Sequence, residues 1–553
     1  MEVKMIHELS IDIETYSDED IRAAGVYKYA DSKAFEILLF SYSTDGTDVE
    51  TVDLAQGEII PTEILEAIVS EDIIKWAFNA SFERVCLSVY IKRHYPALFK
   101  IYSISEDTVG DYLDPSSWRC SMVWSAYMGL PMSLAEVGRV LNLDDQKMTE
   151  GKALIRYFSV PCRPTATNGG RTSNLPEHAL EKWETYKRYN MRDVEVELAV
   201  KRRLAGYPVP DAVWAEYHPS EEINDSGIRI DRQMVENAIK FDERARESLE
   251  SGMRHLTGLD NPNSVQQLSG WLKTKGLEVT SLDKKAVGEM LTDAKGDVRE
   301  VLMLRQRLSK SSVRKYHAMD TVALSDDRAR GMFMFYGASR TGRFAGRHVQ
   351  LQNLPQNHAP DLAQARELVR TGNYDSMEML YDSVPSMLSE LIRTAFIPRT
   401  GYKFCVADFS AIEARCLAFL AGEDWRQKAF AEGKDIYCAS AEKMFHVPVE
   451  KNGVNGELRQ KGKISELALG YGGASGALKA MGAIDMGLRE EELKPLVDAW
   501  RTANQNIVQF WWDIDKAAKD AIRMKTEVES RGFTFTCRSG MLFIKLPSGR
   551  SLS

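Results

Sequence analysis

In the segment LSIDIET (9–15), three apolar residues alternate with polar ones, and this period of two constrains the fold of the first part of the chain. Such alternation is typical of a β-strand with one buried face. Asp12 and Glu14 are therefore predicted to project from the same face of this strand. Further strand-like segments, FEILLFSYS and IIKWAFN, alternate with helix-like stretches. The sequence thus predicts an α/β layer for residues 1–205.

Composition narrows the class of protein. The chain has 553 residues, of which 44% are hydrophobic, as expected for a globular protein with several domains. No apolar run is long enough to predict a membrane span, and the first residues lack the apolar core of a signal peptide. The seven cysteines form no CxxC pair, which indicates a reducing compartment and no zinc site.

The charge distribution leaves nucleic-acid binding open. The net charge of −9 excludes a basic coat around nucleic acid. Basic residues nevertheless cluster at 305–315 and at 340–348. Each cluster by itself favours a solvated helix face, although a local DNA-binding groove is also compatible with it.

The rest of the chain divides by composition. GYPVPDAVW (206–214), with two prolines and a glycine, is predicted to be a linker. Residues 219–335 are predicted to be mostly helical. From about residue 336 the sequence predicts a Gly/Arg-rich loop, a buried strand, several helices and a terminal hairpin.

Four carboxylates and a tyrosine recur in an order that suits metal-ion chemistry. Glu83 follows Asp12 and Glu14 in the segment FNASFER, and YNMRD places Tyr189 and Asp193 on one helix face. Carboxylates on one face repel each other unless a cation lies between them, and hard divalent ions such as Mg²⁺ prefer oxygen ligands. A pair of such ions would activate water for phosphodiester hydrolysis. The alternative is a set of surface acids and a core tyrosine.

This ordered set resembles the 3′→5′ proofreading exonucleases of the DEDD type, tyrosine subclass. The matching motifs are D-x-E on a first strand, N-x3-acid and Y-x3-D. The resemblance implies that Asp12, Glu14, Glu83 and Asp193 hold two Mg²⁺ ions, with Mn²⁺ as an alternative. It also implies that Tyr189 orients the attacking water. Glu83 departs from the family, which usually has aspartate at that position.

The segment RQKGKISELALGYGG (459–473) carries a second regular pattern, in which Arg459, Lys463, Leu467 and Tyr471 recur every four residues. On a helix such residues lie on one slowly drifting face. Two cations suit a triphosphate, and a flat ring suits a base or sugar. The alternative is a solvated basic stripe on a helix that ends at a glycine.

The segment YKFCVADFSAIEARCLAFLAG (402–422) is predicted to begin with an apolar strand that ends at Asp408. A carboxylate at the end of a strand is well placed to bind a metal ion. Ser410 and Glu413 have the S-x-x-E spacing of a capping box, so one interpretation of Glu413 is a cap on the following helix.

This segment also resembles motif A, D-Y-S-x-I-E-x-R, of the family A (DNA polymerase I-like) DNA polymerases. The resemblance implies that Asp408 is a catalytic metal ligand. It further implies that Glu413 excludes ribonucleotides by crowding the sugar 2′ position, and that Arg415 supports the site.

The 459–473 segment resembles motif B of the same family, R-x3-K-x7-Y-G. The resemblance implies that Arg459 and Lys463 hold the triphosphate of the incoming dNTP, and that Tyr471 stacks near the templating position. Leu467 stands where the family usually has Phe or Tyr, which implies altered sugar discrimination.

Two further segments extend the resemblance. SRTGRFAGRHVQLQNLPQ (339–356) is similar to the family's T-G-R…L-Q-N-x-P segment, so Arg343, Gln352 and Asn353 are expected to contact primer and template. DIYCASAEKMF (435–445) is similar to a fingers segment in which Tyr437 replaces the usual His. The basic cluster 305–315 stands where the family's thumb holds duplex DNA.

The resemblance implies a multidomain α/β and α+β chain with an RNase H-like exonuclease followed by a right-hand polymerase. The implied boundaries are 1–205 for the exonuclease, 206–335 for the start of the polymerase domain with the thumb, 336–420 for the palm with motif A, 421–530 for the fingers with motif B, and 531–553 for the start of the returning palm.

Motif C, an H-D-E hairpin that carries the family's second catalytic aspartate, is not recognised, because no His-Asp pair occurs in the sequence. The palm is therefore expected to be incomplete, in a chain that a second polypeptide completes or in a truncated product.

The sequence leaves three functions to compare. They are a proofreading polymerase with a partner chain, an autonomous exonuclease, and a DNA-binding fragment without catalysis. The expected partners are primer–template DNA and dNTPs, without a membrane. Because the resemblance is to phage-encoded members, a bacterial host cytoplasm is the expected location.

Overall fold

The structure, a computed structural model, describes residues 5–105, 108–144, 147–309, 313–338, 340–484 and 486–553. The chain divides into two compact units, one up to residue 403 and one from residue 404 onwards. This division lies within the predicted palm segment 336–420, and the predicted domain boundaries stay predictions. No helix in the described ranges combines the length and apolar character that crossing a membrane requires.

The first unit begins with a five-stranded mixed sheet in the order β3-β2-β1-β4-β7. The strand pairs β1–β2 and β2–β3 are antiparallel, and β1–β4 and β4–β7 are parallel. The elements of this part are β1 Glu8–Tyr16, α1 Ile21–Asp31, β2 Glu36–Thr44, β3 Glu50–Asp53, α2 Thr62–Val69, β4 Ile74–Ala77, α3 Ala80–His94, β5 Tyr102–Ser105, β6 Thr108–Gly110, β7 Trp118–Cys120, α4 Ser121–Tyr127, α5 Leu134–Val140, α6 Gly151–Phe158 and α7 Leu180–Leu204. The predicted RNase H-like α/β layer is confirmed.

Burial explains why the central strands form. β2 is buried at seven consecutive positions, as expected for a strand with both faces covered. Ile11 and Ile13 of β1 are also buried. The long helix α7 packs across β1 and β2, and its aromatic side chains join Leu38, Leu39 and Phe158 in one core cluster.

The remainder of the first unit is mostly helical, as predicted. Its elements are α8 Asp211–Ser226, β8 Ile228–Arg229, α9 Arg232–Thr257, α10 Val265–Thr274, α11 Lys284–Asp293, α12 Gly296–Leu308, α13 Arg314–Val322, β9 Arg328–Ala329, β10 Phe333–Ala338, β11 Arg343–Gly346, α14 Leu362–Arg370, α15 Tyr374–Leu380 and α16 Val384–Leu391. The predicted linker is shorter than expected, because α8 already begins at Asp211, directly after its N-cap Pro210.

A buried ionic network fastens α8 to α3. The Arg84 guanidinium donates to both carboxylate oxygens of Asp225, at 2.8 and 2.7 Å, and to Glu221 at 3.3 Å. The hydroxyl groups of Tyr27 and Tyr102 each donate to Asp225 at 2.6 Å. Because these carboxylates are buried, they depend on Arg84 for charge compensation.

The second unit combines seven helices with a four-stranded antiparallel sheet within its described residues. These elements are α17 Ile412–Ala421, α18 Asp424–Ala431, α19 Ile436–Phe445, α20 Leu458–Leu469, α21 Ser475–Ala480, α22 Glu490–Ala503, α23 Gln505–Met524, β12 Val528–Ser530, β13 Phe533–Arg538, β14 Met541–Lys545 and β15 Ser551–Leu552. Ser539 and Gly540 join β13 to β14 with φ values of +50° and +79°, as a two-residue type I′ turn requires. The predicted terminal hairpin is confirmed.

The predicted strand that ends at Asp408 is wrong for the described structure. Residues 402–409 form no strand, and none of the described strands pairs with them. An apolar extended segment becomes a strand only where a neighbour completes its hydrogen-bond ladder. Here Val406 and Phe409 are 90% and 81% exposed instead.

The interpretation of Glu413 as part of a capping box is also wrong. Helix α17 begins at Ile412, and its N-cap is Ala411 in a left-handed conformation, with no side-chain cap. Ser410 therefore lies one residue before the cap position, and Glu413 is not at the third position of the helix.

Candidate active site

Three carboxylates converge where β1 meets α7. β1 presents Asp12 and Glu14 on one face, and α7 presents Asp193. One oxygen of each carboxylate lies within 4.8 Å of the other two. Among the described residues this is the one group of three potential metal ligands. The structure thus brings together Asp12 and Asp193, which are 181 positions apart in the sequence.

Glu83 belongs to the same charged environment. It lies in the first turn of α3, after the N-cap Asn79, and is buried. Its Oε2 atom and the Oδ1 atom of Asp193 are buried with no hydrogen-bond partner in the described part of the chain. Buried acceptors of this kind are unfavourable unless a proton or cation compensates them.

Burial and mutual repulsion raise the pKa values of these carboxyl groups. Burial, followed by the charges of Asp193 and Glu14, raises the pKa of Asp12 well above its usual range. Burial raises the pKa of Glu14 to about 8, against the effect of a hydrogen bond from Tyr186. Burial likewise raises the pKa of Glu83. A bound divalent cation would favour the ionised forms, and an all-oxygen donor set fits Mg²⁺ or Mn²⁺.

Two residues of α7 that the sequence analysis did not single out hold the carboxylates in place. The Tyr186 hydroxyl donates to Glu14 Oε2 at 2.5 Å, and Asn190 Nδ2 donates to Asp12 Oδ2 at 2.6 Å. Both precede Asp193 on the same helix, at spacings of seven and three residues. The helical period was the sequence signal that could have found them.

Lys147 is a further residue that the sequence analysis missed. It lies between α5 and α6, and its Nζ donates to Asp193 Oδ2. The same Nζ lies 4.8 Å from the ring centroid of Tyr189. No periodic pattern leads to Lys147, because tertiary folding alone brings its segment to the carboxylates.

Tyr189 is packed tightly beside the cluster. It is 2% exposed, and its ring stacks on Tyr186 with centroids 6.1 Å apart. Burial, then the charge of Asp193, raises its pKa, so the hydroxyl keeps its proton. Gly151 lies against the ring so closely that a Cβ atom there would be 2.1 Å from Cε2 of Tyr189.

Asp408 has different surroundings. It lies in the exposed irregular segment 402–409, and it is not part of a group of three metal-ligating side chains within the described residues. Arg415, also predicted for this site, donates from Nε to the backbone oxygen of Ser410 at 2.9 Å. Its guanidinium lies 4.3 Å from the ring centroid of Phe430.

Helix α20 carries three of the four predicted nucleotide-binding residues of motif B. Arg459 pairs with Asp435 through Nε and an Nη atom at 3.0 and 2.8 Å. Lys463 is half-buried and has no ion pair within the described ranges. Tyr471 lies two residues beyond the helix end at Leu469, so the prediction of four residues on one helix is wrong for its last member. The reason is the glycine-rich turn that ends the helix.

A cavity of about 880 Å³ lies in the second unit. Glu413, Leu467 and Tyr471 line it, whereas Asp408, Arg459 and Lys463 do not. Arg426 and Glu466, whose side chains are 1% and 5% exposed, also line it. Their side chains form a bidentate ion pair with N–O distances of 2.7 and 2.5 Å. The cavity thus joins part of motif A to part of motif B.

The predicted DNA-contacting residues lie in the first unit. Arg343 begins β11, and Gln352 and Asn353 lie in a short turn, all three exposed. In the basic cluster 305–315, residues 310–312 lie outside the described part of the chain. Lys315 donates to the backbone oxygen of Val349 at 2.7 Å, so it is not simply solvated.

The known proteins that this chain resembles in sequence are DNA polymerases. Residues 232–539 match the family model described as DNA polymerase family A. The DNA polymerase of Bacillus phage SP02 is 49% identical over 547 residues, which span 99% of this chain and 82% of the phage protein. DNA polymerase I of Chloroflexus aurantiacus is 26% identical over 291 residues, 49% of this chain and 27% of that protein.

A solved structure is similar over nearly the whole chain. It is the POL domain of Pol1 from M. smegmatis in complex with DNA primer-template and dNTP. The TM-score is 0.57 at 16% sequence identity, and the match covers 98% of this chain and 77% of the other. At this identity the likeness concerns the fold alone.

Proposed function

The chain belongs to the family A DNA polymerases, and we propose that it extends a DNA primer with dNTPs and removes nucleotides from the primer's 3′ end. The observation that carries the second activity is the cluster of Asp12, Glu14 and Asp193, in which one oxygen of each carboxylate lies within 4.8 Å of the other two. Glu83 adds a buried oxygen without a partner among the described residues.

Each residue of the proposed exonuclease site has a task. The four carboxylates would hold Mg²⁺ or Mn²⁺, and when bound these ions supply charge that favours ionised water and the leaving oxygen. Tyr189 keeps its proton and is proposed to orient the attacking water through its hydroxyl. Tyr186 and Asn190 hold Glu14 and Asp12 in fixed orientations.

The proposed polymerase site lies in the second unit. Asp408 is proposed to bind a catalytic metal ion. Arg459 and Lys463 are proposed to bind the triphosphate, because guanidinium and ammonium groups recognise phosphate oxygens. Arg459 is already paired with Asp435, so a triphosphate would have to share or displace that carboxylate. Tyr471 and Leu467 are proposed to lie near the base pair and the sugar.

Further assignments follow from the resemblance to the family. Glu413 is proposed to exclude ribonucleotides, and Arg415 to support motif A. Arg343, Gln352 and Asn353 are proposed to contact primer–template DNA. Given the phage relative, a bacterial host cytoplasm is the proposed location.

A second polypeptide that supplies the motif C aspartate is proposed as the partner of Asp408. Two-metal phosphoryl transfer needs carboxylates on both sides of the ions. Asp408 is exposed and lies outside any group of three metal-ligating side chains in the described residues.

The experiment is a primer–template assay with this chain, Mg²⁺ and a labelled primer, with and without all four dNTPs. Shortening of the primer without dNTPs is expected. Asp12→Ala combined with Glu14→Ala should abolish shortening and leave duplex binding largely intact. The exposed pair Asp18→Ala with Asp20→Ala serves as a control in the same region. Shortening that survives the double change of Asp12 and Glu14 would refute the site.

The same assay separates a second candidate function, an exonuclease without polymerase activity. Asp12, Glu14 and Asp193 form a group of three potential metal ligands, whereas Asp408 joins none among the described residues, and this contrast favours the candidate for the chain by itself. Primer that only shortens in the presence of dNTPs supports it. Primer that lengthens with this chain alone shows that no second polypeptide is needed.

A further inference from the structure

We propose that Lys147 is a positioning residue of the exonuclease site that lowers its affinity for divalent cations and raises its rate of excision. This inference rests on the proposed function, and it assigns a role to a residue outside the recognised motifs. Lys147 fixes the Asp193 carboxylate and supplies a permanent positive charge beside the metal-binding oxygens.

The contacts of Lys147 point into the site. Its Nζ donates to Asp193 Oδ2, and it lies 4.8 Å from the ring centroid of Tyr189. The side chain is 27% exposed, whereas that of Asp193 is 4% exposed. A single ammonium group thus contacts both the carboxylate and the aromatic ring that face the reaction. Moving either one would misplace the groups proposed to bind metal and water.

The charge of Lys147 reaches the rest of the cluster. Its nitrogen contacts Asp193, one oxygen of which lies within 4.8 Å of an oxygen of Asp12 and of Glu14. Lys147 therefore compensates part of the carboxylate charge before any metal ion binds.

The same charge has a consequence for the loaded site. Two divalent cations would balance four carboxylates, and Lys147 would then leave one positive charge in excess. That excess matches the single negative charge of a phosphodiester group. Lys147 is therefore expected to disfavour the metal ions through repulsion and to favour the DNA backbone through attraction.

The segment that carries Lys147 is attached to the site at a second point. Gly151, at the start of α6, lies against the ring of Tyr189, where a Cβ atom would approach Cε2 to 2.1 Å. The short stretch from 147 to 151 is therefore held both by an ion pair and by close packing. This arrangement keeps the ammonium group near Asp193 without help from DNA.

The test compares Lys147→Met with Lys152→Met in the full chain. Lys152 is an exposed lysine of α6, so both variants lose the same net charge. Calorimetric titration of Mn²⁺ without DNA should give a dissociation constant about tenfold lower for Lys147→Met than for wild type. The turnover number for a single-stranded oligonucleotide at saturating Mg²⁺ should fall about tenfold or more. Lys152→Met should change neither quantity.

The proposal predicts that Lys147→Met binds cations more tightly and turns over more slowly. A merely structural role would instead weaken cation binding and turnover together. Lys147→Arg, which keeps the charge, should restore the wild-type dissociation constant. Lys147→Gln provides a second neutral variant if Lys147→Met does not fold. Unchanged or weaker Mn²⁺ binding in the folded neutral variants would overturn the proposal. Tighter Mn²⁺ binding in a chain whose wild type does not excise would support the charge effect and reject the exonuclease function instead.

Discussion

Replacing Gly151 by alanine should slow excision by displacing Tyr189. The added Cβ would lie 2.1 Å from Cε2 and 2.6 Å from Cζ of the tyrosine ring. Ordinary carbon contacts are about 3.5–4.0 Å, so the two groups must separate by roughly 1.5 Å. The ring cannot retreat into solvent, because it is buried and stacked on Tyr186. Overpacking of this kind costs about 1–3 kcal/mol of stability.

The loss in catalysis should be similar in free energy to the loss in stability. A misplacement of about 1 Å in a group that orients a reactant can lower a rate by about 100-fold. We expect the turnover number for excision to fall by about 10–100-fold on the same basis. The measurement is release of the terminal nucleotide from a labelled single-stranded oligonucleotide at saturating Mg²⁺. Affinity for primer–template DNA should remain unchanged.

Gly270→Ala is the matched control. Gly270 also lies within a helix, and a Cβ atom there would meet no heavy atom within 4 Å. This substitution should leave excision unchanged and stabilise the protein by roughly 0.5–1 kcal/mol. Adding Tyr189→Phe to Gly151→Ala should cause little further loss, since both changes act on one hydroxyl group. Wild-type excision by a folded Gly151→Ala variant would refute the role assigned to Tyr189.

Three further predictions concern stability. Burial lowers the pKa of Lys75 from 10.5 to about 7. Between pH 7 and pH 10.5 the Lys75 amine is therefore protonated in the unfolded chain and mostly neutral in the folded chain. The free energy of unfolding should therefore fall by about 2–3 kcal/mol as the pH falls from 9.5 to 7.5. Lys75→Met should remove this pH dependence in denaturant titrations. Arg84→Met should destabilise the first unit by about 3–5 kcal/mol in urea unfolding, because Asp225 stays buried without its counter-ion. A loss of stability below about 1 kcal/mol would contradict this. Asp435→Ala should lower the stability of the second unit by about 1–2 kcal/mol, since Asp435 caps α19 and pairs with Arg459. An unchanged melting temperature would exclude that role.

Much of the carboxylate cluster could be predicted from the sequence because its residues obey local periods. Asp12 and Glu14 share a strand face, and Tyr189 and Asp193 share a helix face, so spacing alone assigns their directions. Their catalytic roles stay predictions. Tyr186 and Asn190 lie on the same helix, and their spacing to Asp193 is likewise visible in the sequence.

Motif A shows where local pattern fails. The segment 402–409 is apolar enough for a buried strand, yet it is exposed and unpaired within the described structure. A strand depends on a partner that supplies the other half of each hydrogen bond, and no property of the segment itself reveals whether that partner is present. The same limit applies to Ser410, whose position relative to the helix start depended on the turn before it.

The sequence by itself determined the period of each element, the order of the motifs and the residue types available for metal and phosphate chemistry. These properties depend on neighbours within about one helical turn or a few strand positions. Only the tertiary structure decided that Lys147 lies against Asp193, that Arg84 compensates Asp225, and that Asp408 joins no group of three potential metal ligands in the described chain. The physical reason is that charge compensation and close packing join residues remote in sequence, and no local period encodes which distant side chain will be the partner.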